Sequence, residues 1–146
     1  KTPEPDDGYL IPFGRGRVGR EGSDVTVVTW GSTVYLALEA ARRAEKRGLS
    51  LEVLDLRSIV PLDEEILLKS IRKTSRVVVA HEDTLTMGFG AEVAARIREE
   101  FFEHLDAPVV RVAAKDSFVP SAANLELSVL PSVEDLERGV EKVVSY

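Results

Sequence analysis

The sequence contains no cysteine. That absence excludes disulfides, thiolate zinc sites, iron–sulfur clusters and cysteine nucleophiles together. Histidine is scarce as well: His81 and His104 are the only two, too few to build a histidine-based metal site. No run approaches the ~18 apolar residues of a membrane span, and no signal-peptide hydrophobic region follows the start. Positive charge does not dominate. Nineteen Lys and Arg against 25 Asp and Glu leave a formal net charge of −6, which argues against a general nucleic-acid or anionic-membrane binder. There is no P-loop, no Gly-x-Ser-x-Gly nucleophile elbow, no internal repeat and no low-complexity tract. The first residue is Lys1 rather than Met, so the chain is expected to be a fragment of something longer.

What remains is the composition of one soluble globular domain, with 146 residues, 44% hydrophobic and 30% charged, enough for a single core. Residues 1–8 read Lys-Thr-Pro-Glu-Pro-Asp-Asp-Gly, a proline-broken polar stretch expected to be a linker or lead-in segment, with the domain at 9–146. From Val25 the pattern becomes regular. The β-branched run Val25–Trp30, the run Leu51–Leu56, the run Arg76–Ala80 and the run Pro108–Ala113 predict strands, the first and third with both faces covered. Arg17–Arg20, followed by Glu-Gly-Ser-Asp with Gly22 in the turn, predicts an antiparallel edge hairpin with the Val25 strand.

Helices are expected between the strands. Val34, Ala37, Leu38, Ala41 and Ala44 form one stripe over 33–47, and Gly48 supplies a left-handed cap. Asp63 is placed as the N-cap of a second helix, with Glu64 and Glu65 at its positive end and Ile66, Leu67 and Ile71 as its buried face. A third helix is expected over 89–103. A long irregular segment then runs to Pro131, after which Ser132-Val-Glu-Asp135 reads as a capping box for a closing helix lined by Val133, Leu136, Val140 and Val143. Strands and helices alternating at this spacing define the α/β class. The architecture is a three-layer α/β/α sandwich around a mostly parallel mixed sheet of about five strands with an antiparallel edge strand.

Four motifs are candidates for chemistry. Gly14-Arg-Gly-Arg-Val-Gly19 is a literal G-x-G-x-x-G, but no helix follows to receive a pyrophosphate, so it reads as a coincidence. His81-Glu-Asp83 falls at the carboxyl end of the third parallel strand, the edge where open α/β sheets bind ligands. It reads either as an acid/base pair with Asp83 orienting His81, or as a polar strand end that bonds a loop or a partner; the second is favoured because no nucleophile or ligand cluster stands near it. Gly88 and Gly90, around Phe89, read as glycines of close packing rather than an anion cradle. The alternating charges of 39–46 and 134–142 read as solvated helix faces. No catalytic, cofactor-binding or metal residue emerges from the residues alone.

Taken together, several segments resemble one known family. These are Gly-Ser-Asp-Val-Thr-Val-Val-Thr-Trp-Gly (22–31), Glu-Val-Leu-Asp-Leu-Arg-Ser-Ile-Val-Pro-Leu-Asp (52–63), Val-Val-Val-Ala-His-Glu-Asp-Thr-Leu-Thr-Met-Gly-Phe-Gly-Ala-Glu-Val (77–93), Leu-Asp-Ala-Pro-Val-Val-Arg-Val (105–112) and Leu-Pro-Ser (130–132). They are similar to the C-terminal domain of the β subunit of 2-oxoacid dehydrogenase E1 components, which is transketolase C-terminal-like. One departure stands out: the family carries Gly-Gly-Phe-Gly where this chain has Met87-Gly-Phe-Gly90, so this loop is expected to be stiffer or packed differently.

The resemblance implies a role in thiamine-diphosphate-dependent oxidative decarboxylation of a branched-chain 2-oxoacid or pyruvate, with acyl transfer to lipoyl-E2. It implies thiamine diphosphate and Mg²⁺ bound outside this chain, by the E1 α subunit or region and the β N-terminal domain. It also implies a homodimer through this domain, with His81, Glu82 and Phe89 as subunit-interface residues. Asp106 and Tyr146 become docking residues for the subunit-binding domain of the E2 lipoyl acyltransferase. No nucleic acid or membrane partner is expected, the isolated domain is expected to be inactive, and the setting is cytoplasmic or the mitochondrial matrix. A reading from another class stands beside it: another transketolase-like enzyme's C-terminal domain, binding a small anionic ligand at the His81–Asp83 edge.

Overall fold

A computed structural model describes Gly8 and residues 10–146; apart from Gly8, the expected lead-in segment lies outside the described residues. Five strands, β1 (Arg17–Arg20), β2 (Val25–Thr29), β3 (Leu51–Asp55), β4 (Val77–Thr84) and β5 (Val110–Ala114), form one sheet in the order β1-β3-β2-β4-β5. Among the described residues only the β1–β3 pair is antiparallel. The helices are α1 (Thr33–Glu45), α2 (Glu64–Thr74), α3 (Phe89–Phe101), α4 (Ala123–Val129) and α5 (Val133–Val144), with a short 3-10 turn over Phe102–His104.

Alternation along the strands builds two cores. Val25, Val27, Val53, Val78, Val110 and Val112 face α1 and α5, whose Ala37, Ala40, Ala41, Leu136, Val140 and Val143 complete that layer. The next residues along, Val28, Leu54, Val77 and Val79, face α2 and α3 through Leu67, Ile71, Val93 and Ile97. Every residue of β2 is buried, which is why that strand shows no polar face in sequence. The small alanine stripe of α1 lets it lie close to the sheet, and the solvated charges at its rim pair with those of α5. Arg43 donates to Glu134 at 2.8 Å, and Arg47 donates to Glu141 at 2.7 Å and to Glu137 at 3.1 Å.

Both predicted helix starts hold at the level of single bonds. Asp63 accepts from the Ile66 N–H at 3.2 Å. The Ser132 hydroxyl accepts from the Asp135 N–H at 3.1 Å, while Asp135 accepts from the Ser132 N–H at 2.9 Å. Gly48 takes a φ of 81° just past α1, as expected of a left-handed cap.

Two expectations are corrected. β1 does not form a hairpin with β2; it pairs with β3, and residues 21–24 carry the chain across the amino end of β3 into β2. Gly22 makes that crossing possible: a Cβ there would stand 2.2 Å from the Glu52 nitrogen and the Leu51 carbonyl carbon. The Ser23 and Asp24 amides both donate to the Ser50 carbonyl, at 3.1 and 2.9 Å. The stretch expected to be irregular before Pro131 contains α4, which has no buried residue and so leaves no apolar stripe to read.

Candidate functional site

The parallel strands order as β3-β2-β4-β5, so the chain reverses its direction of winding between β2 and β4. The carboxyl ends of those two strands form the switch-point crevice where α/β sheets bind ligands. Here the crevice is filled by aromatic side chains. Trp30, just past β2, stacks on His81 of β4 with ring centroids 5.3 Å apart and planes 3° from parallel. Phe89, at the start of α3, meets Trp30 edge-on at 6.2 Å.

His81 has no solvent-exposed surface, and neither Nδ1 nor Nε2 has a hydrogen-bond partner among the described residues. Its enclosure comes from two glycines. A Cβ at Gly90 would lie 2.0 Å from Nε2, and one at Gly88 would lie 2.8 Å from Cε1 and 2.1 Å from the Thr84 carbonyl oxygen. The glycines therefore serve close packing, but onto the histidine rather than around Phe89. Burial pushes the His81 imidazole below its ordinary value; Asp83 opposes that and Arg111 adds to it. The acid/base arrangement does not form, since Asp83 Oδ1 instead accepts the Thr84 N–H at 2.7 Å. The β4–β5 ladder shifts register between Ala80 and Thr84, and both Glu82 and Asp83 are exposed.

Met87 departs from the family pattern at a position with φ of 63°. Glycine takes that conformation freely, whereas an L side chain there costs roughly 1–2 kcal/mol. The side chain is 94% exposed, so burial does not offset the strain. Its turn is braced from outside. Thr86 donates through its N–H and its hydroxyl to Asp116, at 2.8 and 2.6 Å, and those bonds hold the Asp116 carboxyl below the usual range. Arg111 donates to the Leu85 carbonyl at 2.6 Å, and the Leu85 N–H to the Ala114 carbonyl at 2.9 Å. An open depression of about 590 Å³ lies beside the brace, lined by Thr84, Thr86, Asp116, Ser117 and Phe118. A second, of about 430 Å³, lies between the Ile59–Leu62 loop and the first turns of α3, where Phe89, Glu92 and Arg96 line it.

Of the three expected interface residues, Glu82 is exposed, Phe89 half-buried and His81 fully enclosed within the chain. His81 is thus corrected from a surface contact to an internal one, because the α3 glycines and Trp30 cover it. Asp106 and Tyr146 are exposed, and they lie at the opposite, amino edge of the sheet, Asp106 leading into β5 and Tyr146 just past α5. The structure therefore brings Glu82 and Phe89 to one edge and leaves the other pair at the far one. Trp30, Asp116 and the φ of Met87 were not read from sequence. The only available signal was the Gly-x-Gly after a strand-end histidine. The G-x-G-x-x-G segment leads into β1: the Gly16 N–H donates to Asp63 at 2.9 Å, and Gly14 lies against Pro61.

Residues 14–136 match the sequence model of the transketolase C-terminal domain, and the chain belongs to that family. It is 44% identical over all 146 residues to the pyruvate dehydrogenase E1 component subunit beta of Rickettsia conorii. It is 40% identical over 142 residues, 97% of the chain, to the mitochondrial 2-oxoisovalerate dehydrogenase subunit beta 2 of Arabidopsis thaliana. The chain spans 43% and 39% of the length of these two relatives. Among solved structures, the inactive β4 tetramer of a split-gene transketolase superposes with a TM-score of 0.84 at 35% identity, over 98% of this chain and 46% of that one. A 2-oxoglutarate:ferredoxin oxidoreductase from Magnetococcus marinus shares the fold at a TM-score of 0.62 and 19% identity, over 94% of this chain and 20% of that one.

Proposed function

We propose that this chain is the C-terminal domain of the β subunit of a thiamine-diphosphate-dependent 2-oxoacid dehydrogenase E1, acting on pyruvate or a branched-chain 2-oxoacid. Its work there is subunit assembly and docking of the E2 acyltransferase. The observation that carries the reading is identity of 44% to an E1 β subunit, sustained over the whole chain. Pyruvate and 2-oxoisovalerate enzymes both stand among the relatives, so the acyl substrate is left at the level of a 2-oxoacid.

Thiamine diphosphate and Mg²⁺ belong, in this reading, to the α subunit and the β N-terminal domain. This chain's residues do not fit the metal: among the described residues no three His, Cys, Asp or Glu side chains converge. The assembly surface is the carboxyl edge, where Phe89 and Glu82 meet a second β subunit. Support comes from the apolar side chains left in water there, among them Phe13, Val60, Met87 and Phe118, since large exposed apolar surface marks interaction sites. The amino edge, with Asp106 and Tyr146, holds the basic subunit-binding domain of E2, and the net charge of −6 favours that encounter. The protein's setting is the cytoplasm or the mitochondrial matrix; among the described residues no helix is long and apolar enough to cross a membrane.

The test is surface plasmon resonance of E2 subunit-binding domain on assembled E1, comparing wild type with Asp106→Asn and with Tyr146 deleted. Slower association with a shallower salt dependence is expected. Unchanged association in both variants refutes the docking assignment. Calorimetric titration of the isolated chain with thiamine diphosphate and Mg²⁺ is expected to give no heat of binding, and micromolar binding refutes the division of labour.

A further inference from the structure

The enclosed histidine has no part in the assembly and docking roles above. Its ring lies flat on Trp30, both nitrogens lack partners among the described residues, and Gly88 and Gly90 press against its Nε2 edge. A neutral imidazole in that place leaves one N–H and one lone pair unmatched. A protonated one leaves two donors and a net charge unmatched, a much larger penalty. Two of the surrounding elements add to that. The positive end of the α3 dipole lies beside the ring, β5 presents Arg111, and Trp30 and Phe89 carry no charge. Asp83 on the same strand is the one attractive group among those facing it, and its carboxylate already accepts the Thr84 N–H. The glycine backbones crowd the ring along its Nε2 edge.

We propose that His81 is a proton-sensitive latch: when it is protonated, the junction between β4 and α3, residues 84–90, opens locally while the rest of the sheet stays folded. The segment that opens carries Met87 and Phe89, so in acid the chain loses the shape of its carboxyl-edge surface before it loses its fold. The latch rests on this chain's own residues; only its consequence for subunit contact rests on the reading above. The direction follows from linkage. Burial lowers the folded-state value of His81 below the ordinary ~6.5, so the open state takes up a proton first. The latch is fully closed above that value and weakens as pH falls toward the folded-state value.

The sequence makes the experiment clean, with one tryptophan and two histidines, the second histidine bonded to Arg72 at 3.1 Å well away from the site. Trp30 fluorescence, the His81 ring resonance and amide hydrogen exchange are followed on the chain from pH 8 to 4.5. Fluorescence and the His81 resonance are expected to change together, with a midpoint below ~6.5. Amides of 84–91 are expected to exchange at least about tenfold faster across that midpoint, with β2 and β3 amides unchanged. His81→Phe keeps an aromatic on Trp30 and is expected to abolish the transition. The proposal is overturned if His81 titrates at its ordinary value with no change in exchange, or if the β2 and β3 amides accelerate together with 84–91. Persistence of the transition in His81→Phe overturns it too. Should that variant not fold, the exchange pattern of the wild-type chain alone decides.

Discussion

Gly139→Ala is a substitution whose two effects oppose each other by known amounts. Gly139 sits in the middle of α5, where alanine favours the helix by roughly 0.8–1.0 kcal/mol. Its Cβ, however, would stand 2.6 Å from Val112 Cγ2 on β5, with Val78 and Val110 methyls behind at 3.6 and 3.7 Å. The helix cannot lift to make room, because Leu136, Val140 and Val143 are fully buried on the same face. Overpacking of this kind costs about 1–3 kcal/mol. The net expectation is a loss of about 0–2 kcal/mol, a fall of up to roughly 7 °C in Tm. Val112→Ala alone removes two buried methyl groups, at about 0.8 kcal/mol each plus a cavity contribution. In the double variant the new methyl enters the vacated space, so the pair is expected to lose about 1–2 kcal/mol less than the sum of the two. Urea unfolding of the four proteins measures this. A Gly139→Ala chain stabilised by the full helix propensity, or strict additivity in the cycle, refutes the close-approach reasoning.

Ser132→Ala removes the hydroxyl that caps α5 and is expected to cost about 1 kcal/mol in urea unfolding. The capping Asp135 carboxyl is raised by burial, the largest single cause, but its bonds to Ser132 and the nearby Arg138 guanidinium together hold it below the ordinary Asp value; its contribution is therefore present above that value, near ~3.9, and is lost as pH falls through the folded-state value. An unfolding series down to pH 2 on Asp135→Asn checks this: wild type and variant are expected to converge in acid. Lys73→Met strands Glu52, which has no exposed side-chain surface and is ion-paired to Lys73; a loss of about 3–5 kcal/mol is expected, with much of it recovered by adding Glu52→Leu. Gly22→Ala drives a methyl into the β3 backbone and is expected to release β1, read as rapid amide exchange in 17–20 with α1 and α5 still protected.

The positions of strands and helices were legible because their signals are local: a β-branched run, an apolar stripe, an Asp or Ser at a helix start. Partnership is not local. Nothing in Arg17–Arg20 distinguishes β2 from β3 as its neighbour, and the deciding feature, the contact of Gly22 with β3, involves a strand some 30 residues on. The same holds for the site. His81 was legible as a strand end at the right edge of the sheet. Its burial depends on Trp30, about 50 residues earlier, and on how α3 turns back over it, which no spacing rule contains. α4 escaped because a helix with no buried residue has no periodic signature.

The pairing of α1 with α5 has a consequence for how the chain acquires its structure. The layer over Val25, Val27 and Val53 is shared between a helix that follows the first central strand and one about 90 residues later, as the separation of Arg47 and Glu141 shows. Loop closure over that distance precedes any reward from the contact, which slows folding. A nascent chain that has reached Pro131 therefore has that face of its sheet covered by α1 alone, and the surface that α5 buries stays open until residues 133–143 emerge. Most of the domain is synthesised before its interior can close.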